Sequence, residues 1–138
     1  MNETFGDAVA AAQAGLPEVR IELEAGRTAY EPGQEVRGTA WWRLERPAVG
    51  VALHLRWTTA GRGDEDSELV RTLELPAGGA AGRAPFQMRL PDGPYSFSGK
   101  LVSLTWHLEL VAEPELASHR VELVIAPGGR EVRLHASP

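Results

Sequence analysis

The stretch Leu90-Pro91-Asp92-Gly93-Pro94-Tyr95-Ser96-Phe97-Ser98-Gly99-Lys100 runs directly into Leu101 to Glu113, and together these residues decide the fold. The first part is a rigid Pro/Gly turn followed by an aromatic between two hydroxyls. In the second, Val102, Leu104, Trp106, Leu108 and Leu110 alternate with Ser103, Thr105, His107 and Glu109. Successive side chains of an extended chain point to opposite faces, so this period of two buries one face and wets the other. A turn feeding a long half-buried strand predicts an antiparallel sheet.

The same period recurs upstream. Val19, Ile21 and Leu23 alternate with Arg20, Glu22 and Glu24; Val36, Gly38, Ala40, Trp42 and Leu44 with Arg37, Thr39, Trp41 and Arg43; Val51, Leu53, Leu55 and Trp57 with Ala52, His54 and Arg56. Further strands are expected at Glu68 to Leu75, Ala84 to Leu90, Arg120 to Ile125 and Glu131 to His135, each bounded by Gly or Pro clusters. About eight antiparallel strands imply an all-β sandwich or barrel. In Glu31-Pro32-Gly33-Gln34, proline presets φ at the second turn position and glycine supplies the positive φ of the third, a type II reversal. Pro127-Gly128-Gly129 breaks the chain before the last strand and predicts a C-terminal hairpin. Gly61 to Asp66 reads as an exposed loop and Ala77 to Gly82 as a flexible connection.

Before the strands, Asn2 to Gly15 is Ala-rich, with Phe5, Val9, Ala12 and Leu16 at helical intervals. Pro17 ends that pattern. The organisation expected is an N-terminal arm or short helix over 1–17 and one β-sandwich domain over 18–138. A chain of 138 residues is long enough for one core. It contains no apolar run near the roughly 18 residues of a membrane helix, and no basic-then-apolar leader, so a soluble, unexported, cytoplasmic protein without membrane insertion is expected. The absence of cysteine removes disulfides, thiolate metal sites and thiol nucleophiles. A net charge of -5 with interspersed signs offers no basic stripe for a phosphate backbone, so nucleic acid is not an expected partner.

Two elements together carry a family resemblance. Tyr30-Glu31-Pro32-Gly33-Gln34-Glu35-Val36-Arg37-Gly38 resembles the arrestin-family signature of a tyrosine, Pro-Gly, an acidic residue, and a valine and glycine opening the next strand. Leu90-Pro91, then Pro94-Tyr95-Ser96-Phe97-Ser98-Gly99-Lys100 and the strand through Trp106, resembles that family's proline, serine, aromatic and glycine segment. The resemblance implies an immunoglobulin-like sandwich of the arrestin N-terminal type, similar to the bacterial sporulation-control group. Tyr30, Pro32, Gly33, Gly38, Pro94, Ser96, Phe97 and Gly99 are read as folding devices, with the Tyr30 ring over the core edge and its hydroxyl wet. Classical arrestins have two such sandwiches and this chain has length for one, so interdomain switching does not carry over. Use of this fold for docking and scaffolding implies a non-enzymatic module that binds a protein partner, or itself, through a sheet edge or an outer face.

Other chemistries find little support. Tyr95-Ser96-Phe97-Ser98-Gly99 departs from the Gly-x-Ser-x-Gly elbow, and no helix follows it. His54 and His107 share the polar parity of their strands, but a zinc site needs further ligands such as Glu109. Asp64, Glu65, Asp66 and Glu68 lack calcium-loop spacing. No catalytic residue, metal ligand or cofactor is assigned. Among the tryptophans, Trp42, Trp57 and Trp106 fall on the apolar parity and are expected in the core. Trp41 falls on the other face beside Arg37 and Arg43, residue types over-represented at interface hot spots. Either this is a binding patch, or a neighbouring loop or the N-terminal arm covers it. The alternative function is a carbohydrate or small-ligand sandwich with Trp41 as stacking platform, which a second outward aromatic nearby would favour; an uncharacterised enzyme is a third, less favoured reading.

Overall fold

The computed structural model describes residues 17–61 and 65–133. Expectations for the Ala-rich arm, for Asp64 and for His135 lie outside these residues. The strands are β1 (Glu18–Leu23), β2 (Ala29–Tyr30), β3 (Glu35–Arg43), β4 (Gly50–Gly61), β5 (Ser67–Leu75), β6 (Ala81–Arg89), β7 (Phe97–Ser98), β8 (Val102–Glu113), β9 (Ala117–Ile125) and β10 (Val132–Arg133). Each expected strand has a counterpart, and the two-residue β2 and β7 are additional. They escape notice in the sequence because two residues are too few to show a period.

Two sheets stack as a sandwich. The smaller has the order β1-β3-β6, and the larger runs β5-β4-β8 before its far edge divides. β8 is the axis of the larger sheet. One of its edges pairs with β4 from Gly50↔Glu113 to Gly61↔Val102. Its other edge takes β7 at Leu104 and Ser103, then β9 from Trp106↔Leu123 to Ala112↔Ala117. Both edges of β8 are occupied, so its alternation is the cleanest in the chain: Leu104, Trp106, Leu108, Leu110 and Ala112 are all buried.

Two expectations are corrected here. Trp57 is half-buried rather than in the core. On β4, Val51, Leu53 and Leu55 are buried, but every residue from Arg56 onward is half-buried or exposed, so the strand outruns the core beyond the register shift in its pairing with β5. The chain end also forms no hairpin on β9. Pro127–Gly129 makes a tight turn with Gly128 and Gly129 at φ 71° and 68°, and β10 then lies parallel to β7. Hairpin return is blocked because the end of β9 is bonded on both sides: Ser96 exchanges hydrogen bonds with Ile125, and β2 pairs with Val124 and Ile125.

The 77–82 stretch is less loose than its composition implies. β6 begins within it, and the Gly79 and Ala80 carbonyls accept hydrogen bonds from Ala48 and Leu44 at 2.9 and 2.6 Å. Gly82 lies opposite Trp42, whose indole occupies the space of the missing side chain. A Cβ at Gly82 would stand 2.5 Å from Trp42 Cζ2. Because Trp42 is only 3% exposed, the ring has nowhere to move. Gly82→Ala is therefore expected to destabilise the sandwich by about 1–3 kcal/mol through overpacking, read as a lower urea midpoint at unchanged slope.

A single hydrogen bond joins the two sheets where β1 faces β9. The Ile21 N–H donates to His119 Nδ1 at 3.0 Å, which requires the neutral ring with its proton on Nε2. Burial pushes the His119 pKa down, the Arg20 charge lowers it further, and Glu18 opposes both. His107 is lowered as well, by burial and then Arg120, against Glu122 and Glu109. The unfolded chain thus binds more protons than the folded one below the ordinary histidine value of about 6.5. This contribution to stability is complete above that pH and is lost as pH falls through and below it. Denaturant midpoints are expected to drop between pH 7.5 and 5.5, and to drop less in His119→Gln, whose amide oxygen still accepts from Ile21.

Candidate functional site

The outer face of the three-stranded sheet is built by three strands whose odd or even positions turn to solvent together. Register sets its rows: Glu18, Arg43 and Ala81; Arg20, Trp41 and Arg83; Glu22, Thr39 and Pro85; then Arg37 with Gln87 and Glu35 with Arg89. Trp41 is half-buried, and the Arg20 guanidinium lies 5.7 Å from its ring centroid, within cation–π range. Arg83 is its neighbour on the other side. Parity alone identified Trp41, Arg37 and Arg43, but Arg20 and Arg83 are brought to Trp41 by strand pairing, which no local pattern reveals. Arg43 stands one row from Trp41, while Arg37 stands two rows away.

The ion pairs on this face are unequal. Arg20 contacts Glu18 at 3.0 Å and Arg37 contacts Glu35 at 2.9 Å. The Glu35 contact raises the Arg37 pKa. Both pairs are partly or largely exposed, so they orient side chains more than they stabilise the fold. Among the described residues, Arg43, Arg83 and Arg89 have no carboxylate partner. Below Trp41, beyond the end of β1, a depression of about 440 Å³ opens between Glu22, Arg37, Thr39, Pro85, Phe86 and Gln87. Among the described residues no second aromatic shares these rows with Trp41, so the feature that would favour the carbohydrate reading is not found there.

The two family-like motifs meet at the end of β9 through Tyr30 and Ser96, while Glu35, Arg37 and Gly38 of the first belong to β3. Tyr30 is buried, and its hydroxyl donates to the Arg27 carbonyl at 2.9 Å, so it is not the wet group expected from its place beside a turn. Burial raises its pKa, partly offset by the Arg27 guanidinium stacked 4.4 Å from the ring centroid. The Pro32-Gly33 turn has Gly33 at φ 82° and a 3.2 Å hydrogen bond from Gln34 N–H to the Glu31 carbonyl. Gly38 lies opposite Phe86, and an added Cβ there would collide with the Glu22 carbonyl. In the second motif, the Pro94 carbonyl accepts the Trp106 indole N–H at 2.8 Å. Ser96 is 2% exposed; its N–H donates to the Ile125 carbonyl at 2.8 Å and its Oγ accepts the Ile125 N–H at 3.0 Å. Phe97 packs against the core opposite Leu104, and Gly99 links β7 to β8.

The Ser96 hydroxyl thus accepts from the backbone of β9. His54 and His107 do share the outer face of the large sheet, but strand pairing sets Glu109 opposite His54 and Arg56 opposite His107. His54 meets Thr72 at 3.1 Å and His107 meets Thr58 at 3.2 Å. Among the described residues no three His, Asp or Glu side chains converge as a metal set.

With this geometry in view, solved structures are informative. The crystal structure of Spo0M, a sporulation control protein from Bacillus subtilis, superposes with a TM-score of 0.61 at 18% identity, over 80% of this chain. The chain has the arrestin-like fold of Spo0M. It spans about half of that protein, 49% of its length. The alkylpurine DNA glycosylase AlkC of Pseudomonas fluorescens, bound to DNA containing an abasic site analog, matches at a TM-score of 0.35 and 12% identity, over 78% of this chain and 30% of that one, and carries no argument. No family model and no curated protein matches. At this identity the likeness to Spo0M is one of fold, the level at which Tyr30 and Ser96 act. Ser96→Ala leaves the buried Ile125 N–H without an acceptor and is expected to cost about 1–3 kcal/mol by chemical denaturation.

Proposed function

We propose that the chain is a non-enzymatic interaction module, an adaptor or scaffold that docks a protein partner on the outer face of its three-stranded sheet. The observation that carries this is the row Arg20, Trp41 and Arg83, in which a partly exposed indole lies under the Arg20 guanidinium and is paired across the sheet with Arg83. Such residues are the commonest anchors of protein interfaces. We take residues 18–138 as one domain, and the reading carries with it a cytoplasmic location. Likeness of fold to a sporulation control protein supports a regulatory or adaptor role by analogy.

The face is favoured over the sheet edges. β6 carries Pro85 at its centre, which lacks the N–H that an added strand would use. The pairing of β5 with β4 contains a register shift, a feature that twists an edge away from further pairing. A partner therefore meets side chains rather than main chain. In a pull-down from native lysate, Trp41→Ala is expected to reduce capture of a specific partner about ten-fold or more while the unfolding midpoint stays near that of the parent. Undiminished capture by the variant would sink the assignment to this face.

A further inference from the structure

We infer that the segment this face accepts is acidic and extended, with carboxylates at Arg43 and Arg83 and an apolar side chain in the depression beside Leu23 and Pro85. The inference rests on the docking reading and adds the chemistry of the partner. Its first support is charge. The outward positions of β1, β3 and β6 hold five arginines and three glutamates, a local +2 on a chain of net -5. The positive excess is concentrated around Trp41, since Arg43 and Arg83 adjoin it and neither is paired to a carboxylate among the described residues. Arg20, by contrast, is engaged with Glu18 and oriented over the indole, which makes it part of the platform.

The second support is shape. The depression lies one to two rows along β3 from Trp41, at Thr39 with Pro85 and Arg37 with Gln87. With a strand rise of about 3.3 Å per residue, those rows are roughly 7 and 13 Å from the Trp41 row, a span covered by two to four residues of extended chain. Pro85 and the partly buried Leu23 supply its apolar lining and Glu22, Glu24, Arg37, Thr39 and Gln87 a polar rim, while Phe86, 6% exposed, belongs to the core beneath. A segment with carboxylates at one end and a leucine-like side chain a few residues on would satisfy both features at once. Glu18, Glu22 and Glu35, interspersed through the face, oppose a nucleic-acid backbone, whose phosphates would meet them at regular spacing.

The test is an NMR titration of the full-length, nitrogen-15-labelled protein with an end-blocked, tryptophan-free peptide of two glutamates, two serines and a leucine. A matched lysine peptide and a short thymidine oligomer serve as comparators. Expected are shifts of the Trp41 indole N–H and the Arg43 and Arg83 Nε–H signals with the acidic peptide alone, weakening as salt is raised. The double variant Arg43→Gln, Arg83→Gln should bind it roughly five-fold more weakly, from two exposed charge pairs, while its spectrum elsewhere stays that of the folded parent. Equal binding by the double variant, equal binding of the lysine peptide, or binding of the oligonucleotide instead would overturn the acidic-segment inference. If no peptide binds at millimolar concentration while Trp41-dependent capture from lysate persists, the inference is wrong and the docking reading stands. Loss of both would remove the docking reading as well.

Discussion

The end of β9 is the constraint around which the rest of the sandwich is arranged. Ile125 exchanges hydrogen bonds with Ser96, while the amides of Val124 and Ala126 donate to the Thr28 and Tyr30 carbonyls at 2.9 and 3.1 Å. A strand end bonded along both edges, with Ile125 and Ala126 buried, has its backbone groups engaged, and a lost partner would leave a polar group in the core. Two segments about sixty residues apart in the chain thereby converge on three residues. They also touch each other: the Leu90 N–H donates to the Gln34 carbonyl at 2.8 Å, and Gly33 packs toward Asp92. The short β2 and β7 owe their existence to this clamp, and so does the parallel seat of β10.

That arrangement separates the fold from the proposed docking face. The clamp is on the larger sheet, and Trp106, bonded to the Pro94 carbonyl, carries it into the core. The Trp41 face belongs to the smaller sheet and contributes little to the core, since Val36, Ala40 and Trp42 turn inward from the same strand. One strand therefore serves two ends. Its inward side fixes the packing against Phe86 and Gly82, and its outward side is free to vary in chemistry. Charge and an indole can be placed there at small cost in stability, which is the condition a binding surface on a β-sandwich must meet.

The seam between β1 and β9 links the two sheets in a different way. A backbone N–H bonded to a histidine ring is tied to the protonation of that ring, so this one bond between the sheets needs the neutral imidazole, while buried Val19 and Ile21 hold the same strand by packing. Arg20 participates in both places: its charge lowers the His119 pKa, and its guanidinium covers Trp41. The outer face around Trp41 and the seam thus share a residue, although the chemistry of each is distinct.

Alternation by twos in β1, β3, β4 and β8 was enough to read the sandwich, because burial on one face leaves its mark on neighbouring residues. The Pro-Gly turn and the Pro94 to Gly99 segment were legible for a similar reason: φ preferences belong to single residues. The overhang of Trp57, the parallel β10 and the buried Tyr30 hydroxyl were not legible, since each depends on what lies across a sheet or beyond a strand end. At the candidate site, sequence parity marked Trp41, Arg37 and Arg43 as outward, but only strand register brought Arg20 and Arg83 to the indole. Local periodicity records which face a residue turns to water. Which residues become neighbours there is decided by long-range pairing, and hydrogen bonds between strands leave no trace in the local order of side chains.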